Sequence, residues 1–149
     1  EEVGLDLEQR GIKLNYSNLV SPDTVVIADP EQMKKVINNI ISNSVKYMDK
    51  PNGHIDIRIL DEVDSIQVEI EDNGKGIAQK DLQKIFERFY RTDASRNSAQ
   101  GGSGIGLSIV KKIVEDHGGY VWATAKEGEG TCMHFVLRKY IELQPGGTK

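Results

Sequence analysis

The chain has 149 residues, 38% apolar and 28% charged, which is enough to bury a core and leaves no room for a disordered or collagen-like reading. Nineteen Lys and Arg against 23 Asp and Glu leave a formal charge of −4, so no basic field exists to hold nucleic acid, and none is expected as a partner. The longest purely apolar run, residues 25–28, falls far short of the roughly 20 residues that span a bilayer, so no membrane contact is expected from this domain.

Partial alternation through Ile12, Leu14 and Tyr16 predicts a strand over residues 11–19, and the β-branched run at 24–28 predicts a second, divided from the first by the Ser21-Pro22-Asp23 turn. Asp29-Pro30 is a helix start, with an N-cap carboxylate followed by proline at the first helical position. Met33, Val36, Ile37, Ile40, Ile41, Ser44 and Met48 then recur at helical spacing up to the Pro51-Asn52-Gly53 stop. Residues 54–60 and 66–70 both alternate and pair as a hairpin about the loop at 61–65. A short helix is expected over 79–86. Residues 95–104 lack any large apolar side chain and read as a long mobile loop. A helix follows over 105–116, stopped by Gly118-Gly119, and two strands over 120–125 and 131–139 flank the turn Glu127-Gly128-Glu129-Gly130. The pattern predicts a two-layer α/β sandwich, with a sheet of about five strands backed by about three helices. It forms one domain over residues 1–143, followed by a flexible tail at 144–149. The first residue is Glu1 rather than methionine, so a longer parent is expected.

Three stretches carry residues that a plain scaffold does not explain. Asn39, Asn43 and Lys46 share one stripe of the first long helix, a stripe turned away from its apolar face. Asparagine and serine at 38, 39, 42, 43 and 44 are poor helix formers for a merely solvated surface. Their amide oxygens could share a divalent cation with phosphate oxygens, Lys46 adding a point charge. Asp72-Asn73-Gly74-Lys75-Gly76 ends a strand. The segment beyond it does not read as a returning strand, so the glycines suggest a bend that lets something approach the backbone, with Asp72 an acceptor for the amino group of a base such as adenine. The cluster Gly101-Gly102-Ser103-Gly104-Ile105-Gly106-Leu107 opens into a helix, whose free amides suit phosphate; its spacing matches neither a P-loop nor the dinucleotide fingerprint.

Other chemistry is excluded or weak. One cysteine, Cys132, rules out an internal disulfide and a multi-cysteine zinc site, and it reads as a small buried residue of a strand. His54, His117 and His134 have no metal-site spacing and read as structural. Phe86-Glu87-Arg88-Phe89-Tyr90-Arg91 reads as an aromatic anchor, with Arg91 able to reach an anion at the edge of the loop.

In order, Asn39-x-x-x-Asn43-x-x-Lys46-Tyr47, Asp72-x-Gly74-x-Gly76, Phe86-x-x-Phe89-Tyr90-Arg91 and Gly102-Ser103-Gly104-Ile105-Gly106-Leu107 resemble the N, G1, F and G2 boxes of the ATP-binding catalytic domain of bacterial sensor histidine kinases. The resemblance runs from about Gly11 to Lys139 and includes Gly128-x-Gly130-Thr131. It implies the Bergerat fold, a mixed sheet backed by helices with ATP between them. It further implies Mg²⁺ on Asn43 with Asn39 assisting, phosphates held by Lys46 and Arg91, Tyr47 along the nucleotide, and Asp72 on the adenine amino group. Gly74, Gly76 and Ile77 would shape the adenine pocket; Gly102, Ser103, Gly104, Ile105, Gly106 and Leu107 would form the lid and phosphate end, and Thr131 would complete the site. The acceptor is implied to be a histidine on a separate dimerising hairpin, which His54, His117 and His134 do not match, and a response regulator would be served through the parent. The single cysteine and the lack of a signal-peptide pattern favour a cytoplasmic domain, whether or not its parent is anchored in a membrane.

Hydrolytic relatives of this fold resemble one another in placing a glutamate where Asn39 stands, and an amide cannot take a proton from water. Asn39 therefore favours transfer over hydrolysis. The 86–91 segment favours sensor kinases over serine kinases of the same fold, and intact Asn43, Asp72 and glycine loop argue against a decayed nucleotide-binding module that only docks partners.

Overall fold

A computed structural model describes residue 7, residues 9–88, residue 90 and residues 106–140. Its five strands are β1 (Lys13–Asn18), β2 (His54–Asp61), β3 (Ser65–Asp72), β4 (Val121–Lys126) and β5 (Gly130–Arg138), in the sheet order β1-β2-β3-β5-β4. Two helices among the described residues are α1 (Pro30–Lys46) and α2 (Gly106–Asp116). The sheet is mixed. β1 lies parallel to β2 because α1 fills the connection between them, while the other three pairings are antiparallel.

α1 begins as its sequence predicts. Asp29 is extended (φ −86°, ψ 115°) and its carboxylate accepts from the Glu31 and Gln32 amides at 2.9 and 3.4 Å, with Pro30 at the first turn. The Asp29 amide donates to His117 Nε2 at 3.1 Å, while His117 Nδ1 reaches the Ile113 carbonyl at 2.8 Å, so this histidine ties the end of α2 to the start of α1. Val36, Ile40 and Ile41 of α1 and Val110, Ile113 and Val114 of α2 are buried against a layer made of Ile55, Ile66, Val68, Ile70, Met133, Phe135 and Leu137. These strand positions alternate, so one face of the sheet packs on the helices and the residues between them face the other way.

Two expected elements differ. Residues 24–28 form no strand: Val26 makes one isolated bridge to Lys139, with the Tyr140 amide donating to the Val25 carbonyl at 2.7 Å. β5 has ended at Arg138 and the α1 cap begins at Asp29, so there is no length over which a ladder can form. Residues 79–86 are not an α-helix but a 3₁₀ turn at Gln79–Asp81 continued by tight turns. Asp81, Leu82, Lys84, Glu87 and Tyr90 each donate to the carbonyl three residues back, and the Tyr90 hydroxyl bonds the Asp81 carboxylate. Three-residue winding turns Leu82 and Ile85 the same way, and Ile85 is buried in the core. The described residues therefore hold α1, α2 and one 3₁₀ turn, and Leu7 and Gln9 are helical as well. Expectations for residues 95–105 and for the tail at 144–149 lie outside the described residues.

Candidate nucleotide site

α1 carries Asn39, Asn43 and Lys46 on a half-buried flank, one and two turns apart, while Asn38 and Ser42 are exposed. Where α1 ends, the Tyr47 amide donates to the Asn43 carbonyl and the Met48 amide to the Val45 carbonyl, each at 3.2 Å. The Lys46 ammonium lies 5.2 Å from the Tyr47 ring centre and the Lys75 ammonium 5.5 Å from it, which places two cations about one half-buried ring. No sequence pattern singles out Lys75. Its proximity to Tyr47 comes from backbone docking, the Lys75 amide donating to the Tyr47 carbonyl at 3.1 Å.

Asp72 closes β3 beside this flank. Its Oδ1 accepts from the Gly74 amide at 2.9 Å and from the Thr131 amide at 3.3 Å, and the Ser44 hydroxyl donates to the same carboxylate. Thr131 is buried and stands opposite Asp72 in the β3–β5 register. Burial pushes the Asp72 carboxyl above its usual range; the three donors pull against that shift, and the charge of Glu71 adds to it. Ser44 is 4% exposed and comes from the apolar stripe of α1. A hydroxyl on that stripe is the sequence signal that a half-buried acceptor lies opposite, a signal hidden because Ser44 also reads as one more poor helix former in its row.

The loop after Asp72 is held by its neighbours. The Gly128 amide donates to the Lys75 carbonyl at 2.7 Å, Gln79 Nε2 to the Ala125 carbonyl at 3.1 Å, and Lys50 Nζ to the Gly74 carbonyl at 2.9 Å. A Cβ on Gly74 would stand 2.7 Å from the Tyr47 carbonyl oxygen, and Gly76 combines φ +76° with a Cβ position driven into the Lys126 carbonyl. The close approach expected at these glycines is thus made by the chain's own backbone. Ile77 and Leu107 are half-buried against the core, and Gly106 opens α2 at the surface. Arg91, Gly102, Ser103, Gly104 and Ile105 lie outside the described residues. The structure therefore brings Ser44, Tyr47, Asp72, Gly74, Gly76 and Thr131 to the junction of α1, the end of β3 and the start of β5, with Asn39, Asn43 and Lys46 along the flank of α1 that leads to it and Ile77 in the loop beyond.

Residues 28–141 match the family of histidine kinase-, DNA gyrase B- and HSP90-like ATPases. The chain belongs to that family. Within it, 122 residues are 41% identical to the sensor histidine kinase WalK of Bacillus subtilis (strain 168), covering 80% of this chain and 20% of the relative. The chain thus spans about a fifth of the length of that relative. A mycobacterial sensor histidine kinase, MprB, has a similar structure, with a TM-score of 0.77 at 28% identity over 93% of this chain and 91% of that one. Histidine kinase ThkA, solved in complex with the response regulator protein TrrA, aligns with a TM-score of 0.71 at 28% identity, over 93% of this chain and 39% of that one. Both the family and the five-stranded mixed sheet agree with the resemblance carried by the motifs: this is an ATP-binding catalytic domain of the sensor histidine kinase type. Among the described residues, no helix is long and apolar enough to cross a membrane.

Proposed function

We propose that this domain binds Mg·ATP at the junction of α1 and the ends of β3 and β5 and transfers the γ-phosphoryl group to a histidine on a separate dimerising helical domain. The observation that carries the reading is the Asp72 carboxylate, held on Oδ1 by two backbone amides and supported by Ser44, beside the cation-flanked Tyr47 ring. Anchoring of Oδ1 presents the carboxylate as a fixed acceptor for the adenine amino group. Lys46, with Arg91 and the glycine segment 102–106, would take the phosphates, Gly106 standing at the start of α2 where free amides favour anions. Asn39 and Asn43 offer uncharged amide oxygens at i and i+4, a hard donor set that suits Mg²⁺ shared with phosphate oxygens. Bound there, Mg²⁺ would neutralise charge on the transferred group. The residues' own work is then to fix the nucleotide and stabilise negative charge, which is most of what phosphoryl transfer asks of a protein.

Asn39 favours transfer over hydrolysis, since an amide does not accept a proton from water. The response regulator named with ThkA suggests that a regulator of that class receives the phosphoryl group downstream. The test is label transfer from γ-labelled ATP by the 149-residue chain alone, with a dimerisation domain carrying the acceptor histidine, and with that histidine replaced. Transfer only to the intact acceptor, rising with concentration because proximity is not supplied covalently, is the expected result. Brisk multiple-turnover hydrolysis by the chain alone would assign it to the hydrolytic branch. Asn43→Ala is expected to abolish the Mg²⁺-dependent gain in affinity for a non-hydrolysable ATP analogue; an unchanged gain would remove Asn43 from the metal's coordination.

A further inference from the structure

On the sheet face that turns away from α1 and α2, Glu69 and His134 are opposed in the β3–β5 register, and Cys132 stands two residues from His134 on the same side of β5. We propose that Glu69, Cys132 and His134 form a binding site for a zinc-class divalent cation, separate from the nucleotide site. One ligand atom from each of the three lies within 4.8 Å of the other two, and His134 Nδ1 is 3.1 Å from Glu69 Oε2. The edge of a tetrahedral zinc site between nitrogen and oxygen ligands is about 3.4 Å, so this pair already has the spacing, while the Cys132 sulfur, within 4.8 Å of both, has about 1 Å at most to close. A thiolate, an imidazole and a carboxylate are the mixed donors that zinc takes with a fourth position open.

The surroundings orient these donors as an outer shell does. His134 is stacked in place by Trp122, whose ring is 4.9 Å away and 3° from parallel, and Nε2 bonds Thr124 Oγ1 at 2.9 Å. A hydroxyl can accept as readily as it donates. When Nδ1 binds a cation, the ring can therefore carry its proton on Nε2 and donate it to Thr124, leaving neither group orphaned. Arg58 holds the other oxygen of Glu69, its Nε 3.1 Å from Oε1, and reaches Glu71 at 2.9 Å. That leaves Oε2 turned toward His134, where it also accepts from Gln67 Nε2 at 2.9 Å, and the guanidinium, 3.9 Å from the Cys132 sulfur, offsets part of a thiolate's charge. Without a metal the thiol stays protonated: burial, with Glu69 and Glu71 adding, pushes it up to about 12. Cation binding would release that proton to solvent, the sulfur taking the metal in its place. These residues sit on two adjacent interior strands of the sheet rather than on loops, with the Glu71–Cys132 pair next to the Asp72–Thr131 pair.

The probe is Co²⁺ added to the nucleotide-free 149-residue chain, followed by displacement with Zn²⁺. The expected result is one Co²⁺ per chain with a thiolate charge-transfer band and the intense visible absorption of a four-coordinate ion, both removed by Zn²⁺. Cys132→Ser should remove the charge-transfer band, His134→Gln and Glu69→Gln should each weaken binding at least tenfold, and His54→Gln should change nothing. Absence of the charge-transfer band in wild-type protein shown to be folded by its near-ultraviolet dichroism would overturn the proposal, as would a band that survives Cys132→Ser. The wild-type measurement decides even if a variant fails to fold.

Discussion

Asp72, the acceptor proposed for the adenine amino group, is held in the fold at a cost. Its carboxyl is raised above the usual range, first by burial, so the folded state binds this proton more readily than the unfolded chain does. Its contribution to stability is therefore full below the ordinary carboxyl range and is lost as pH rises through the raised folded value. Asp72→Asn keeps an oxygen for the Gly74 and Thr131 amides and removes the buried charge, with the Ser44 hydroxyl able to accept from the new amide. The variant is expected to melt higher than wild type at neutral pH, by a margin that shrinks toward acid, and to bind ATP more than tenfold more weakly. Thermal scans across pH together with nucleotide titration measure both. A pH-independent loss of stability would contradict the assignment of the cost to charge burial. Ser44→Ala removes one of the three donors, and a hydrogen bond to a charged group contributes about 1.5–3 kcal/mol. It should push the Asp72 carboxyl still higher, so that ATP affinity begins to fall at a higher pH than in wild type; an unshifted profile would make Ser44 a packing residue only.

At the scale of elements, α1 is set by local rules and the 72–79 loop by its neighbours. Asp29→Ala removes two amide acceptances at the α1 N-terminus and is expected to cost about 1 kcal/mol, with ATP affinity unchanged because Lys46 and Tyr47 sit at the far end of the helix. Chemical denaturation and a nucleotide titration check the pair of outcomes. Gly76→Ala should be worse. Left-handed backbone alone costs a non-glycine residue roughly 1–2 kcal/mol, and the added methyl must also move the Lys126 carbonyl, which belongs to the strand end that holds the loop. This substitution should lower both the denaturation midpoint and ATP affinity, whereas Asp29→Ala lowers only the first. Equal effects on the two measurements would mean that the loop and the cap are not separable.

Across the whole molecule, protection should follow depth in the sheet. Val36, Ile40, Ile55, Ile70 and Phe135 are at most 1% exposed, and they bind α1 to the middle strands. β1 is an edge strand of which Leu14 alone is less than exposed, and Tyr16 is 61% exposed. Native-state hydrogen exchange should therefore find the slowest amides in β3, β5 and α1 and markedly faster ones in β1. Amides of β1 as slow as those of β5 would show that the sheet opens only as a unit.

What the chain determined by itself was whatever depends on near neighbours. The Asp29-Pro30 start, the helical spacing through Ile41, the alternation of residues 54–60 and 66–70 and the order of the four motifs are all local patterns, and the helix, the hairpin and the family follow from them. The same local logic failed at residues 24–28 and 79–86, where β-branching and apolar spacing were overridden by the end of β5 and by tight three-residue turns. Tertiary structure alone decided that β1 runs parallel to β2, that Ser44 and Thr131 meet on Asp72, that Lys75 reaches Tyr47, and that Glu69, Cys132 and His134 converge. Each of these joins residues far apart in sequence or on different elements. Hydrophobic periodicity says which face of an element is buried, but partner and register are settled only when the faces pack together.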